Sequence, residues 1–179
     1  MDSFDKYKSN KKNKSFIQIK FKNLLIFIFF NLFYISYEVT EITLVINGNG
    51  KQKVISDSFN SIPSEIIGSD IEQCINKREC VLKSDTNKVT IIFDSLIISC
   101  NHMFSGLSSI TEIDLSNFDT SRVTVMAFMF NDCINLEKVI FGNIKTSKAE
   151  NMYGLFNNCI RLISVDLSNF DFSTVKNTN

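Results

Sequence analysis

A unit of 26 residues, repeated three times without insertion between residues 103 and 176, constrains the fold of this chain more than any other feature. A fixed period of this length is typical of repeat architectures, in which each unit covers the apolar face of its neighbour. We therefore predict a stack of units whose core positions lie in register. The recurring apolar positions are Met103/Phe104, Met129/Phe130 and Leu155/Phe156; Ile110, Leu136 and Leu162; and Ile113/Leu115, Val139/Phe141 and Val165/Leu167.

Each unit has a segment with helical spacing, followed by a strand-like segment. In the middle unit Met126, Met129, Phe130 and Cys133 fall at i, i+3, i+4 and i+7, which lines one face of a helix, and the other units repeat this spacing. The alternating apolar residues that come next predict one short strand per unit, paired in parallel with its neighbours. The predicted fold class is therefore an α/β solenoid, a leucine-rich-repeat-like stack of short helix–strand coils with a β-rich N-terminal cap.

The 179 residues divide into three predicted regions: a leader at 1–37, a β-rich cap at 38–98 and the repeats at 99–179. The cap would cover the apolar face and the strand edge of the first unit. Within it, Asn47-Gly48-Asn49-Gly50 separates two strand-like runs and predicts a hairpin. The third unit is incomplete and lacks a polar capping unit, so we expect self-association through this C-terminal edge.

The leader contains seven lysines and two acidic residues, and its lysines precede an apolar run at residues 24–35. A basic segment followed by an apolar run of this length is typical of a secretory signal, and the run is short for a membrane-spanning helix. The favoured prediction is a cleaved signal peptide; the alternatives are an uncleaved anchor and a buried N-terminal helix. We expect a secreted or cell-surface protein that contacts the membrane only through this segment, if the segment is retained.

The cysteines fall into two groups. Cys74 and Cys80 are six residues apart, a spacing that suits a local disulfide outside the cell, with a metal site or two free thiols as alternatives. Cys133 and Cys159 occupy equivalent inward positions of successive units, where free cysteine acts as a small buried hydrophobe. Their Cα atoms would be close enough for a disulfide, which is the alternative, but we expect them to be reduced, and Cys100 to fill the core in the same way.

The turn that follows the strand completes a recognisable motif. It reads Ser-Asn-Phe-Asp in the first and third units, whereas the middle unit has Gly142-Asn143-Ile144-Lys145. Across residues 110–129, 130–136 and 162–175 the pattern resembles the repeat of the BspA-like leucine-rich repeat surface proteins, a Mycoplasma-type surface repeat. That resemblance implies a surface-exposed solenoid that serves adhesion or partner recognition.

The predicted function is a non-enzymatic adhesion or recognition scaffold; the alternative is a purely structural stacking module of a surface coat or assembly. A protein or glycan ligand would bind to the exposed strand residues, which are Glu112, Asp114, Lys138, Ile140, Ser164 and Asp166. Residues 38–179 hold 12 basic and 17 acidic residues, which argues against a nucleic-acid partner.

Catalytic and metal-binding motifs are missing from the sequence. His102 is the only histidine and has no partner motif, so we predict that it lies at the edge of a unit and that the chain has no catalytic residues. Aspartates recur at 114 and 166 and at 119 and 171, which raises the alternative of a calcium site. The middle unit interrupts both series with Ile140 and Lys145, so we favour turn-capping aspartates and predict neither a metal nor a cofactor.

Overall fold

The computed structural model describes residues 39–178, and in that part of the chain it contains eight β-strands and no helix. The strands are β1 (Thr40–Asn47), β2 (Gly50–Lys53), β3 (Glu65–Ile67), β4 (Ile71–Ile75), β5 (Glu79–Leu82), β6 (Thr86–Phe93), β7 (Ile110–Asp114) and β8 (Lys138–Ile140). The prediction of an α/β solenoid built from helix–strand coils is therefore wrong, and the fold is β-rich, with one mixed sheet and one antiparallel sheet.

The larger sheet has five strands in the order β3-β6-β1-β7-β8. All neighbours in it are antiparallel except β7 and β8, which are parallel. On β1 the side chains of Ile42, Leu44 and Ile46 are fully buried, whereas Thr43 and Val45 on the opposite face are half-buried. This alternation follows from the two-residue period of a strand. Because β7 pairs with β1, the predicted cap and the first repeat unit share one sheet.

The smaller sheet has three antiparallel strands in the order β2-β5-β4. The predicted disulfide between Cys74 and Cys80 is present and joins β4 to β5. The predicted hairpin between β1 and β2 is wrong, because the two strands belong to different sheets. Gly48 and Gly50 have positive φ, and the Gly48 N–H donates to the Asp85 carbonyl at 2.7 Å, so the chain leaves the large sheet here.

The segments with helical spacing are successive turns. His102, Phe128 and Gly154 hold the same position in their units, and all three have the left-handed φ values of 56°, 55° and 61°. The Met103 N–H donates to the Cys100 carbonyl three residues back, whereas the His102 N–H donates to Ala127 in the next unit. An α-helix needs bonds to the residue four positions back and right-handed φ throughout. The apolar spacing is thus that of a turn series.

The 26-residue step of the sequence is kept in the backbone hydrogen bonding of these turns. Isolated parallel bridges join Ser99 to Val125, Val125 to Asn151, and Asn151 to Asn177. The rings of Phe104, Phe130 and Phe156 form a column with centroid distances of 5.9 and 5.3 Å. Equivalent residues of adjacent units therefore lie next to each other.

The third unit differs from the first two. The prediction of a strand in this unit is wrong, because the residues around Val165 form no strand in the part of the chain that the structure describes. Val165 and Phe156 are only partly buried, Leu167 is 37% exposed and Ile163 is 95% exposed. The apolar side chains of this unit therefore cover the preceding unit on one side, and on the other side they are exposed.

The leader predicted at residues 1–37 lies outside the described residues. Among residues 39–178, no helix has the length and the hydropathy that are needed to cross a membrane.

Candidate functional site: the outer sheet face and the turn cleft

The outer face of the five-stranded sheet contains the predicted binding residues of the first two units. Glu112 and Asp114 on β7 stand opposite Lys138 and Ile140 on β8, and their side chains point away from the core on which Ile113 packs. Among these four, Lys138 is exposed and the others are half-buried. The structure thus brings these predicted residues together on one surface, which we call the outer sheet face.

Ser164 and Asp166, the predicted members of the third unit, are exposed but do not extend this sheet. Their segment has no ladder bonds with β8 among the described residues, so their backbone is not held in the strand register. The predicted surface consequently ends at β8.

The sequence did not identify the residues that β1 and β6 add to the outer sheet face. Thr43 and Thr90 are cross-strand partners whose hydroxyl oxygens are 3.3 Å apart, and Thr43 also faces Asp114. In the next row, Val45 lies between Lys88 and Glu112. The alternation along β1 indicated an outward side, but only the pairing of β1 with β6 and β7 shows which side chains it joins.

The charges on this face are solvated, and two of them form an ion pair. Lys138 Nζ lies 3.9 Å from Glu112 Oε2, with both side chains about half exposed, so this ion pair adds little stability. Asp114 Oδ1 accepts a hydrogen bond from the Ser116 N–H at 2.9 Å. The surface therefore offers acidic, basic and hydroxyl groups, with no strongly buried charge.

A cleft of about 240 Å³ lies where the chain leaves β7 and β8. We call it the turn cleft; its lining residues are Ser116, Asn117, Phe118, Asp119, Thr120, Asn143 and Lys145. Phe118 and Thr120 are buried and form its floor, whereas the other residues are exposed or half-buried. Gly142 allows the two turns to approach, since its φ is +56° and a Cβ there would lie 2.8 Å from Ser116 Cα.

The Asp119 carboxylate of the turn cleft is held in place by hydrogen bonds from Ser121. Partial burial acts to raise the pKa of this carboxyl, but hydrogen bonds from the N–H and hydroxyl of Ser121 and the nearby charges of Lys145 and Arg122 lower it overall. Asp119 therefore stays ionised and caps its turn. Asp114, Asp166 and Asp171 each accept the N–H two residues on, so the predicted turn-capping role is confirmed.

The cysteines of the repeat are free, as predicted. The Cys133 thiol donates to the Phe104 carbonyl, and the Cys159 thiol donates to the Phe130 carbonyl one unit later. Burial raises the pKa of Cys133 to about 12 and that of Cys159 to about 11, and it raises the pKa of Cys100 as well. These thiols are inert core groups, because the reactive species is the thiolate.

His102 lies on the surface of the turn series. Its ring stacks on Phe128 at 5.0 Å with an interplanar angle of 7°. Its side chain makes no hydrogen bond to another described residue that would activate it as a base. In residues 39–178 no three His, Cys, Asp or Glu side chains converge as metal ligands.

The C-terminal part of the chain matches a known protein family. Residues 81–179, which include β6 to β8 and all three repeat units, match the family described as "Mycoplasma protein of unknown function, DUF285". No curated protein and no solved structure matches the chain.

Proposed function

The chain belongs to the DUF285 family, Mycoplasma proteins of unknown function, and we propose that it is a non-enzymatic recognition or adhesion scaffold that is secreted or displayed on the cell surface. The finer proposal is that its repeat is of the BspA-like surface type. The disulfide between Cys74 and Cys80 supports an oxidising compartment, because such bonds are rare where thiols are kept reduced.

The outer sheet face is the observation that carries this proposal. It presents side chains from four adjacent strands, namely β6, β1, β7 and β8, in one rigid register. Sites on strands hold side chains more precisely than sites on loops. Glu112, Lys138, Thr43 and Thr90 provide a mixed polar surface that suits a protein or glycan ligand.

Charge reversal on the outer sheet face tests this function. We would measure binding of the wild type and of the Glu112→Lys/Lys138→Glu double variant to immobilised extracellular-matrix proteins and glycans. This double change keeps the ion pair but moves each charge to the other strand, so the fold is preserved while the pattern of the face is inverted. A Lys51→Glu/Glu79→Lys variant is the matched control, since this pair lies 3.8 Å apart on the smaller sheet.

Loss of binding in the first variant with retention in the control supports a recognition face. Equal binding of both variants and the wild type contradicts it and favours the alternative, a structural module of a surface coat. In that case changes at the open side of the third unit, near residues 165–175, would reduce assembly.

A further inference from the structure

The turn cleft coincides with the place where the middle unit departs from the repeat. The first and third units read Ser-Asn-Phe-Asp at these positions, and the middle unit reads Gly142-Asn143-Ile144-Lys145. Ile144 is buried like its counterpart Phe118, so the apolar core position is preserved. The other two differences lie at exposed positions of the middle unit, where Gly142 replaces serine and Lys145 replaces aspartate.

Several hydrogen-bond donors of the turn cleft have no partner among the described residues. In the third unit, the Asn169 amide donates to the Gly142 carbonyl at 3.0 Å, whereas the equivalent amide of Asn143 donates to no other described residue. The described residues also place no carboxylate within ion-pair distance of the Lys145 ammonium. Together with the Ser116 hydroxyl, which makes no side-chain bond in the described part of the chain, these groups converge on one opening.

We propose that the turn cleft binds a saccharide residue that carries a carboxylate, of the uronic or sialic acid type. Lys145, Asn143 and Ser116 supply a cation, an amide N–H and a hydroxyl to the ligand carboxylate. Asp119 is ionised and has lone pairs beyond those that Ser121 uses. It can therefore accept a hydrogen bond from a hydroxyl group of the saccharide ring. The volume of about 240 Å³ is below that of pockets for drug-sized ligands, which fits a single ring.

This site adjoins the outer sheet face, since the Ser116 N–H donates to Asp114, but the two surfaces use different side chains and can be tested independently. We would titrate ¹⁵N-labelled protein with D-glucuronate and, in parallel, with D-glucose, a ring of similar size that has no carboxylate. We expect glucuronate to shift the amide signals of residues 116–120 and 142–145, with little response to glucose. N-acetylneuraminate is the second acidic probe.

Lys145→Gln is the decisive variant, with Lys148→Gln as its matched control three residues further along the same exposed turn. The first change should lower the affinity for glucuronate roughly tenfold, since it removes a charge-assisted hydrogen bond, and the second should leave it unchanged. Asn143→Ala should produce a smaller loss. Because Lys145 and Asn143 are exposed, circular dichroism should show an unchanged fold.

Either of two results would overturn this assignment: equal responses to glucuronate and glucose, or unaltered glucuronate binding by Lys145→Gln. If the signals of Glu112 and Lys138 shift instead, the binding site for acidic saccharides is the outer sheet face and not the turn cleft. The charge-reversal variant of that face should still bind glucuronate in the turn cleft, so failure of one proposal does not imply failure of the other.

Discussion

The middle and third units of the repeat have the same apolar pattern but different surroundings. Phe130 is fully buried between the rings of Phe104 and Phe156, whereas Phe156 stacks on Phe130 alone among the residues that the structure describes. Phe141 is 6% exposed, and its counterpart Leu167 is 37% exposed. Periodicity therefore determines which side chains point inward, but an adjacent unit is needed to bury them. Stability should consequently decrease along the stack toward the third unit.

Removing a ring from the aromatic column tests this comparison and should have the largest effect on stability. Phe130→Ala should destabilise the protein by about 3–5 kcal/mol, because it removes a fully buried ring between two others. Phe156→Ala should cost about half as much, since that ring is partly solvated. Urea denaturation followed by circular dichroism measures both values. Equal costs would show that the third unit is as well packed as the second.

The disulfide is expected to have the next largest effect. Replacing Cys74 and Cys80 with alanine should lower the free energy of unfolding by about 2 kcal/mol, because the bond constrains a short loop of the unfolded chain. This loss originates in the smaller sheet, so amide exchange should rise first in β4 and β5. An equal rise in the turn series would mean that the two regions unfold as one cooperative unit.

Self-association should respond to the open side of the third unit. Ile163 belongs to this unit and is 95% exposed, so Ile163→Lys should change stability by less than about 0.5 kcal/mol. It should nevertheless shift the mass measured by light scattering toward the monomer. Ile62→Lys is the control, because Ile62 is also exposed but lies outside the repeat. A monomeric wild type with slow amide exchange through Val175 would contradict this prediction.

Replacing Asp119 should have the smallest effect on stability. Because its pKa is lowered in the folded state, its stabilising contribution is present above its ordinary pKa and is lost as pH falls through the lowered value. Asp119→Asn should therefore reduce stability slightly at neutral pH and leave it unchanged well below about pH 4. Thermal melts at neutral and acidic pH would reveal this, and a pH-independent loss would contradict it.

Sequence reasoning recovered the step of the repeat and the local disulfide, since both depend on spacing. It could not distinguish a helix from a series of turns. Both arrangements place residues at i, i+3, i+4 and i+7 on one side, and the left-handed positions include Phe128, Asp132 and Asn158 as well as glycines. A left-handed phenylalanine gives no warning in the sequence, because stacking by the neighbouring units holds it in place.

The outer sheet face was found only in part for a similar reason. Glu112 and Lys138 are one repeat apart, so the period itself placed them together. Thr43 and Thr90 joined them through antiparallel pairing between distant segments, which no periodicity encodes. The turn cleft was anticipated only as an irregularity of the middle unit, and its shape depends on the approach of Gly142 to Ser116.

The amide-to-carbonyl bonds between units have an evolutionary consequence. The Phe104 N–H reaches Met129, and the Phe130 N–H reaches Leu155, so a fixed chain distance separates each donor from its acceptor. Deleting or inserting one residue within a unit would misalign the donors and acceptors whose spacing spans the change, and it would turn apolar side chains of that unit toward water. Duplication or loss of complete segments, by contrast, keeps every donor opposite its acceptor, so genes that encode such a stack can change length by whole multiples of the unit without this cost.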